Sequence, residues 1–185
     1  MPADWPCYTV AELQKHGVIL VEDGNHGEHR PRHSEFVSPG TAFIRAADMD
    51  SGLVLFESAE QINDVALGRI TKGVGATGDV LLSHKGTVGK VALVRTPSPP
   101  FVCSPQTTFW RAIDLKRLDR RFLYYFLCSP GFRQQLATRK GETDMADYVS
   151  LTNQRLLTVL VPPIFDQRAI AHILETRRRQ RGRRP

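Results

Sequence analysis

The segment from residue 78 to 94 constrains the fold most, because two β-rich runs flank one short polar break. The runs are Val80–Ser83 and Val88–Val94, and this pattern is typical of a β-hairpin. Gly86 suits the turn, since glycine adopts positive φ at little steric cost. The turn would present donor side chains, suited to an anion or to base edges, from His84, Lys85 and Thr87. An ordinary polar surface hairpin is the alternative that the spacing alone leaves open.

The chain has 185 residues, which is long enough for one domain with its own hydrophobic core. Hydrophobic residues make up 41% and charged residues 24%, as is usual for a globular protein. No apolar run approaches membrane-spanning length, and the N-terminus lacks the basic-then-apolar order of a signal peptide, so we expect a cytoplasmic protein. Three widely spaced cysteines without a CxxC pair predict no disulfide framework: Cys7, Cys103 and Cys128.

The net charge of +6 belongs to the C-terminal tail rather than to the body of the chain. Six arginines lie in that tail: Arg177, Arg178, Arg179, Arg181, Arg183 and Arg184. Without them the chain has 19 basic and 19 acidic residues, so the body is formally neutral. Binding of nucleic acid by a neutral body requires basic residues gathered on one face, which bulk charge does not reveal.

Helices and strands are predicted to alternate irregularly, which favours an α+β fold with a mixed, mainly antiparallel sheet or partial barrel. Predicted helices are Val10–His16 (capped by Thr9 and ended by Gly17), Ser58 to about Ile70, Leu118–Leu127, Phe132–Thr138 and one opening at Asp166. Predicted strands beyond the hairpin are Val18–Val21, Ala42–Arg45, Leu53–Phe56, Thr107–Ile113 and Leu156–Val161. We expect one domain over residues 1–163, followed by a helix and basic tail over 164–185.

Two polar loops carry further candidate contacts. The loop 23–38 contains three histidines, but no cysteine lies nearby and glycine and proline break any helical face, so we predict no metal site. Long loops are often functional, and the alternative is a solvated connection. The candidate side chains here are Arg30, Arg32 and His33, with Asn25 as a weaker candidate. The loop 139–150 adds Arg139 and Lys140, and Gln106 is a second weaker candidate.

Several blocks of the sequence form a joint signature. Two of them are the hairpin 78–94 and the segment VPPIFDQRAIAHIL (161–174). The others are DGNHGEHRP (23–31), TAFIRAADM (41–49), YYFLCSP (124–130) and VSLTNQRLLTVLVPP (149–163). In this order the blocks resemble the target-recognition domain of type I restriction–modification specificity subunits, although Asp166 stands where that family more often has glutamate. The resemblance covers nearly the whole chain, and its blocks are specific only jointly.

The resemblance implies a division of labour in which this chain reads half of a bipartite site in double-stranded DNA. Catalysis would lie in a methyltransferase subunit and possibly a restriction subunit, and the chain itself would need no cofactor. Basic side chains would contact phosphates and polar ones base edges. The candidate DNA contacts are Arg30, Arg32, His33, His84, Lys85, Thr87, Arg139 and Lys140. The candidate partner-binding residues, which could also form a weak homodimer, are Ile170, Ile173 and Leu174.

Sequence motifs give little support to an enzyme. Gly73–Gly78 matches GxGxxG, but a strand rather than a helix follows, so we predict no dinucleotide site. Pro162–Pro163 lacks the flanking Asn or Asp and aromatic residue of a methyltransferase motif.

Family members carry two recognition domains and two long helices, whereas this chain shows one of each. The remaining alternatives are a stand-alone DNA-binding or protein-interaction module and a small hydrolase with an unrecognised site.

Overall fold

The computed structural model describes residues 5–140 and 147–181. Its α-helices are α1 Val10–Lys15, α2 Asp64–Arg69, α3 Arg120–Leu127, α4 Pro130–Thr138, α5 Leu151–Arg155 and α6 Ile164–Arg181. Its strands are β1 Cys7–Thr9, β2 Ile19–Asp23, β3 Phe36–Val37, β4 Thr41–Ile44, β5 Met49–Asp50, β6 Leu53–Val54, β7 Gln61–Ile62, β8 Val80–Ser83, β9 Val91–Leu93, β10 Phe101–Cys103, β11 Thr107–Ala112 and β12 Thr158–Leu160. Short 3₁₀-helices cover Gly27–His29, His33–Glu35 and Ala46–Asp48.

A four-stranded antiparallel sheet with the order β2-β11-β8-β9 forms the centre of the domain. Alternate residues of β8 point to opposite faces, as in any strand. Val80 and Leu82 join the core formed with α1, α3 and α4, while Leu81 joins a second core. All four residues of β8 are therefore buried, and the strand has no solvent-facing side.

The second sheet, with the order β10-β4-β7-β3, packs on the other face of the central sheet. Its β10–β4 pair is parallel, with Phe101 opposite Ala42, and its other pairs are antiparallel. Two small antiparallel pairs, β1–β12 and β5–β6, complete the strands of the described ranges. These sheets do not close into a barrel, and the prediction of an α+β fold is confirmed.

Local sequence signals account for most helix ends. The Thr9 hydroxyl accepts from the Glu12 amide at 3.2 Å, and the Glu12 carboxylate accepts from the Thr9 amide at 2.7 Å, which forms a capping box at the start of α1. Gly17, at φ +65°, ends that helix as predicted. The Asp119 carboxylate caps α3, so this helix begins at Arg120 rather than at the predicted Leu118.

The prediction that Ser58 begins a helix is wrong. Residues Gln61–Ile62 pair with both β4 and β3, which holds this segment extended. The helix α2 begins only after Asn63, whose side chain accepts from the Ala66 amide at 2.9 Å. A nonlocal pairing thus overrode a plausible local cap.

The predicted hairpin is present, but its second strand is shorter than the predicted Val88–Val94. Strand β9 begins at Val91, because the chain turns through Gly86 at φ +76° and Gly89 at φ +95°. The Gly89 amide donates to the Ser83 carbonyl at 2.9 Å and closes this turn. The remaining predicted strands exist with altered bounds: β6, β11 and β12 are shorter than predicted, β4 is shifted by one residue, and β2 begins one residue later and extends to Asp23.

The glycine-rich segment 73–78 serves packing and precedes a strand, β8, as predicted. A Cβ on Gly75 would lie 2.0 Å from the Phe101 ring, so only glycine fits there. Directly after it, the buried Asp79 carboxylate accepts from Arg111 Nε at 2.7 Å and Nη2 at 2.8 Å. This bidentate pair fixes the start of β8 against β11.

Two buried side chains of the C-terminal helix, Ala171 and Gln167, attach it to the domain, and the polar one is Gln167. Its Oε1 accepts from the Asp119 amide at 2.9 Å, and its Nε2 donates to the carbonyls of Arg117 at 2.8 Å and Pro162 at 2.7 Å. Both ends of the amide are thus paired, so Gln167 fixes the direction in which α6 leaves the domain. In the described ranges, no helix is both long and apolar enough to cross a membrane.

We predict that Gln167→Leu lowers the free energy of unfolding by about 2–4 kcal/mol, since each buried polar group without a partner costs about 1–3 kcal/mol. Urea denaturation followed by circular dichroism measures this change. The control is Gln134→Leu on the exposed surface of α4, which should be nearly neutral. Equal stability of the two variants would contradict the anchoring role of Gln167.

Candidate nucleic-acid interface

A small basic cleft forms where four separate segments meet. The loop after β2, the end of β4, the turn after β8 and the turn between β10 and β11 enclose about 120 Å³. Its lining residues are His26, Gly27, Arg30, Phe43, Arg45, Lys85, Ser104, Pro105 and Gln106. Three permanent cations, an imidazole, a hydroxyl and an amide thus face one cavity, and the lining contains no carboxylate.

Buried Asp23 holds one wall of the cleft in place. Its Oδ2 lies 2.9 Å from His26 Nε2, and its Oδ1 pairs with Lys72 Nζ. Burial alone would raise the pKa of Asp23, but the hydrogen bonds from Lys72 and His26 outweigh it and keep that pKa below its ordinary value. The charged carboxylate therefore orients His26, which is half exposed, at the cleft.

Asn25, a weaker candidate for base contact, has a structural role instead. Its side chain is buried, and its Oδ1 accepts from the Thr71 amide at 3.1 Å and the Thr71 hydroxyl at 2.7 Å. Its Nδ2 donates to the Lys72 carbonyl. These bonds fix the loop on the segment that follows α2, so Asn25 is not available to DNA.

Lys85 lies at the other wall of the cleft and is exposed, as predicted. Its turn is attached to residues 147–149: Lys85 forms a β-bridge with Tyr148, and the Gly86 amide donates to the Asp147 carbonyl at 3.0 Å. Lys85 Nζ lies 5.9 Å from the centre of the Tyr148 ring. The hairpin turn is thus supported by a remote segment, and its lysine is positioned over an aromatic face.

His84 was expected at the surface of the turn, and this prediction is wrong. The side chain is fully buried beneath residues 147–149, where its Nδ1 lies 3.2 Å from the Val149 carbonyl. Its Nε2 has no partner within the described part of the chain. Burial lowers the pKa of His84 to about 4, so the ring is neutral at pH 7 and belongs to the scaffold.

Two cleft residues, Arg45 and His26, were not predicted from the sequence as DNA contacts. Arg45 ends a predicted strand, and its guanidinium lies 5.3 Å and 5.5 Å from the ring centres of Phe36 and Phe43. It also pairs with Glu60 at the surface. His26 was considered only as a metal ligand. A basic residue that directly follows an apolar strand was the available signal for Arg45.

The remaining candidates lie outside the cleft. Arg32 and His33 are exposed at a 3₁₀-turn further along the loop. Thr87, Arg139 and Lys140 are also exposed, and Lys140 pairs with Asp147 beside the Lys85 turn. Lys140 also lines a larger groove of about 630 Å³ between the β8–β9 turn and α4. The structure therefore brings together Arg30, Lys85 and Gln106, and leaves the other candidates around the cleft's margin or further away.

The three loop histidines do not converge on one point. Among residues 5–140 and 147–181, no group of three His, Cys, Asp or Glu side chains is placed to hold a metal ion. His26 contacts Asp23, whereas His29 Nδ1 lies 3.0 Å from the Arg69 carbonyl. Each of these two rings thus contacts a different group of the protein, His26 a side chain and His29 a backbone carbonyl.

The candidate partner stripe of α6 is divided between core and surface. Ile170 packs against the domain's own core beside the buried Ala171. Ile173 and Leu174 remain 51% and 36% exposed. Phe165, which sequence analysis did not select, is 79% exposed and lies two turns before Ile173. The exposed apolar stripe of α6 therefore consists of Phe165 and Ile173, which lie about 80° apart around the helix, whereas Leu174 lies about 180° from Phe165.

Comparison with known proteins gives one consistent result. Residues 25–180 match the family model described as the type I restriction modification DNA specificity domain. The specificity subunit of the type I restriction enzyme MjaVIII from Methanocaldococcus jannaschii is 20% identical over 180 residues, which are 95% of this chain and 40% of that protein.

Solved structures show the same fold. The HsdS subunit from Thermoanaerobacter tengcongensis matches with a TM-score of 0.70 at 18% identity, over 97% of this chain and 38% of that one. The type I S subunit from M. genitalium matches with a TM-score of 0.62 at 15% identity, over 94% and 38%. The chain thus spans about two fifths of the length of these relatives.

We predict that His84 makes stability depend on pH. Its pKa is lower in the folded state (about 4) than in the unfolded chain (about 6.5), so unfolding is coupled to proton uptake in acid. The free energy of unfolding should be constant above about pH 6.5 and fall by about 2 kcal/mol by about pH 5. Urea titrations across this range measure the slope.

A His84→Gln variant should lose this slope, because glutamine does not titrate, whereas His33→Gln at the exposed 3₁₀-turn should keep it. The same slope in the His84→Gln variant would show that another group takes up the proton.

Proposed function

The chain belongs to the type I restriction modification DNA specificity domain family, and we propose that its basic cleft binds one half of a bipartite target in double-stranded DNA. The observation that carries this proposal is the convergence of Arg30, Arg45 and Lys85 on one cavity beside Gln106. These residues come from segments far apart in sequence, and the fold places them together. Arginine and lysine bind phosphates and guanine edges, and glutamine matches adenine.

The distribution of charge supports the proposal. The body of the chain is formally neutral, so three cations in a cleft without a carboxylate represent local segregation of charge. Such segregation is what a neutral domain needs in order to bind a polyanion. The exposed Lys140 and Arg139 would extend the positive surface from the Lys85 turn along the DNA backbone.

Rigid support of the cleft would favour specific recognition. His26 is oriented by Asp23, and the Lys85 turn is attached to residues 147–149. Side chains fixed before binding lose little conformational entropy on contact. More of the interaction free energy then contributes to the difference in affinity between base pairs. Gln106, exposed in a tight turn at the cleft, is our candidate for a base contact.

We also propose that this chain is not itself catalytic and acts with a methyltransferase subunit, and in restriction with a further subunit. The similar proteins are named as specificity subunits of type I restriction enzymes, and the sequence lacks the catalytic motifs discussed above. In this proposal the protein acts in the cytoplasm, its cleft selects the DNA target, and the surface of α6 binds the partner subunits.

We predict that Lys85→Ala weakens binding to duplex DNA. If Lys85 contacts a phosphate, binding to all sequences should weaken, and the slope of log K against log salt should decrease by about 0.9. If Lys85 contacts guanine, about 1–3 kcal/mol of discrimination should be lost at one base pair. Fluorescence anisotropy over a salt series, with random and selected duplexes, separates these outcomes.

The control is Lys116→Ala, an exposed lysine on the turn after β11 and outside the cleft, which should leave affinity and salt dependence unchanged. If a triple Arg30, Arg45 and Lys85 to alanine variant bound DNA like the unmodified chain, the cleft would not be the DNA site.

The exposed stripe of α6 leads us to propose a second copy of the chain as its occupant in a weak dimer. Phe165 and Ile173 are too exposed to contribute fully to the core. A second copy offers an identical stripe, and a twofold arrangement would cover both stripes at once. Burial of each such side chain contributes at most about 1.5–3 kcal/mol, which agrees with weak association.

We predict that Ile173→Asp prevents this association without unfolding the domain, because the side chain is already half exposed. Sedimentation equilibrium at high protein concentration measures the dissociation constant. Val65→Asp on α2 provides a matched control, since Val65 is 65% exposed and lies on a different helix. A strictly monomeric unmodified chain, or a dimer insensitive to Ile173→Asp, would exclude this arrangement.

A further inference from the structure

A second basic surface, which we call the arginine groove, lies between α3, α6 and the end of β9. It encloses about 330 Å³. Its charged lining residues are Arg95, Arg120, Arg121, Glu175, Arg178 and Arg179, with Tyr124 and Tyr125 beside them. Five guanidinium groups and one carboxylate thus face one groove, three of the arginines from the formally neutral body and two, Arg178 and Arg179, from the basic tail.

The groove already accommodates one carboxylate. Glu175 accepts from Arg179 at 2.8 Å and lies 3.5 Å from Arg121. Arg95 and Arg120 are exposed, and neither forms an ion pair with a residue that the structure describes. Guanidinium groups match carboxylates in planar geometry. These two arginines can therefore bind carboxylates of another molecule, as Arg121 and Arg179 bind Glu175.

An apolar groove adjoins the arginine groove at Tyr125, which lines both. It encloses about 510 Å³, and its apolar lining includes Trp5, Phe122, Phe126, Phe132, Leu160, Ile170 and Leu174. Most of this lining is buried or partly buried, and Leu174 is its most exposed large apolar side chain in the described ranges. A concave apolar lining beside basic side chains is typical of a protein-binding site. A nucleic-acid backbone would satisfy the arginines but would leave this apolar surface exposed.

The arginine groove lies away from the basic cleft. Gly78 lines the groove and Lys85 lines the cleft, so the two sites lie at opposite ends of β8. The groove is formed by α3 and α6, on the helical face of the central sheet, whereas the cleft includes Phe43 and Arg45 from the side of the second sheet. The two sites are therefore built from different elements on different faces of the central sheet.

We infer that the arginine groove and the apolar groove together bind an acidic, amphipathic segment of a partner protein. Carboxylates of that segment would pair with Arg95 and Arg120, and its apolar side chains would cover the aromatic surface around Tyr125. The inference rests on the proposed function in that the partner is the methyltransferase subunit. The inference adds two points to that proposal: the partner's contacting segment is acidic and amphipathic, and it binds in these two grooves rather than on the exposed stripe of Phe165 and Ile173.

The test measures association with the purified methyltransferase subunit by isothermal titration calorimetry, and with duplex DNA by fluorescence anisotropy. An Arg95→Glu, Arg120→Glu double variant should weaken the protein complex by roughly tenfold or more, with a reduced salt dependence, because reversed charges repel the acidic segment. Its affinity for duplex DNA should stay within about twofold, since both residues lie outside the cleft. Phe126→Ser should weaken the protein complex without a change in salt dependence.

A matched control reverses two exposed charges elsewhere, Lys116→Glu with Arg155→Glu, and should not affect the protein complex. Circular dichroism confirms folding of each variant. The inference is overturned if the unmodified chain forms no complex, if the double variant binds the subunit normally, or if it loses DNA affinity in parallel, which would make the groove a phosphate site. Lys85→Ala tests the DNA site separately, so failure of one proposal does not decide the other.

Discussion

Burial of β8 on both faces is the constraint on which the rest of the structure depends. A strand covered by helices on one side and by a second sheet on the other can expose functional groups only beyond its ends. Both ends are fixed by buried polar contacts, the Asp79–Arg111 pair at one and the His84–Val149 contact at the other. The residues beyond them therefore extend from a rigid core, and the cleft and the arginine groove lie at these two positions.

Positive charge is divided between two surfaces with different chemistry. The cleft combines cations with neutral hydrogen-bonding groups and no carboxylate, which suits a polyanion that also presents base edges. The arginine groove combines guanidinium groups with aromatic surface and an internal carboxylate, which suits a protein. In the two proposals above, DNA occupies the cleft and the partner protein occupies the arginine groove, so each ligand contacts a different surface of the domain.

Sequence predicted the features that depend on neighbouring residues and missed those that depend on distant ones. The Thr9 cap of α1 and the glycine turn of the hairpin were recognised because their residues lie within a few positions. The strand Gln61–Ile62 was missed because β3 and β4 hold it extended. His84 is buried by residues 147–149, about sixty positions away, and the cleft needs four remote segments, so only Arg30, Lys85 and Gln106 were identified beforehand.

The attachment of α6 through Gln167 makes this helix a lever arm. The 14 residues beyond Gln167 extend about 21 Å, so a rotation of about 10° at Gln167 would displace the far end by about 4 Å. Gln167 contacts three backbone groups in two segments, which restrains rotation in more than one direction. A protein held along the outer part of α6 would therefore lie at a distance and angle from the central sheet that depend on how stiffly Gln167 and the buried Ala171 hold the helix.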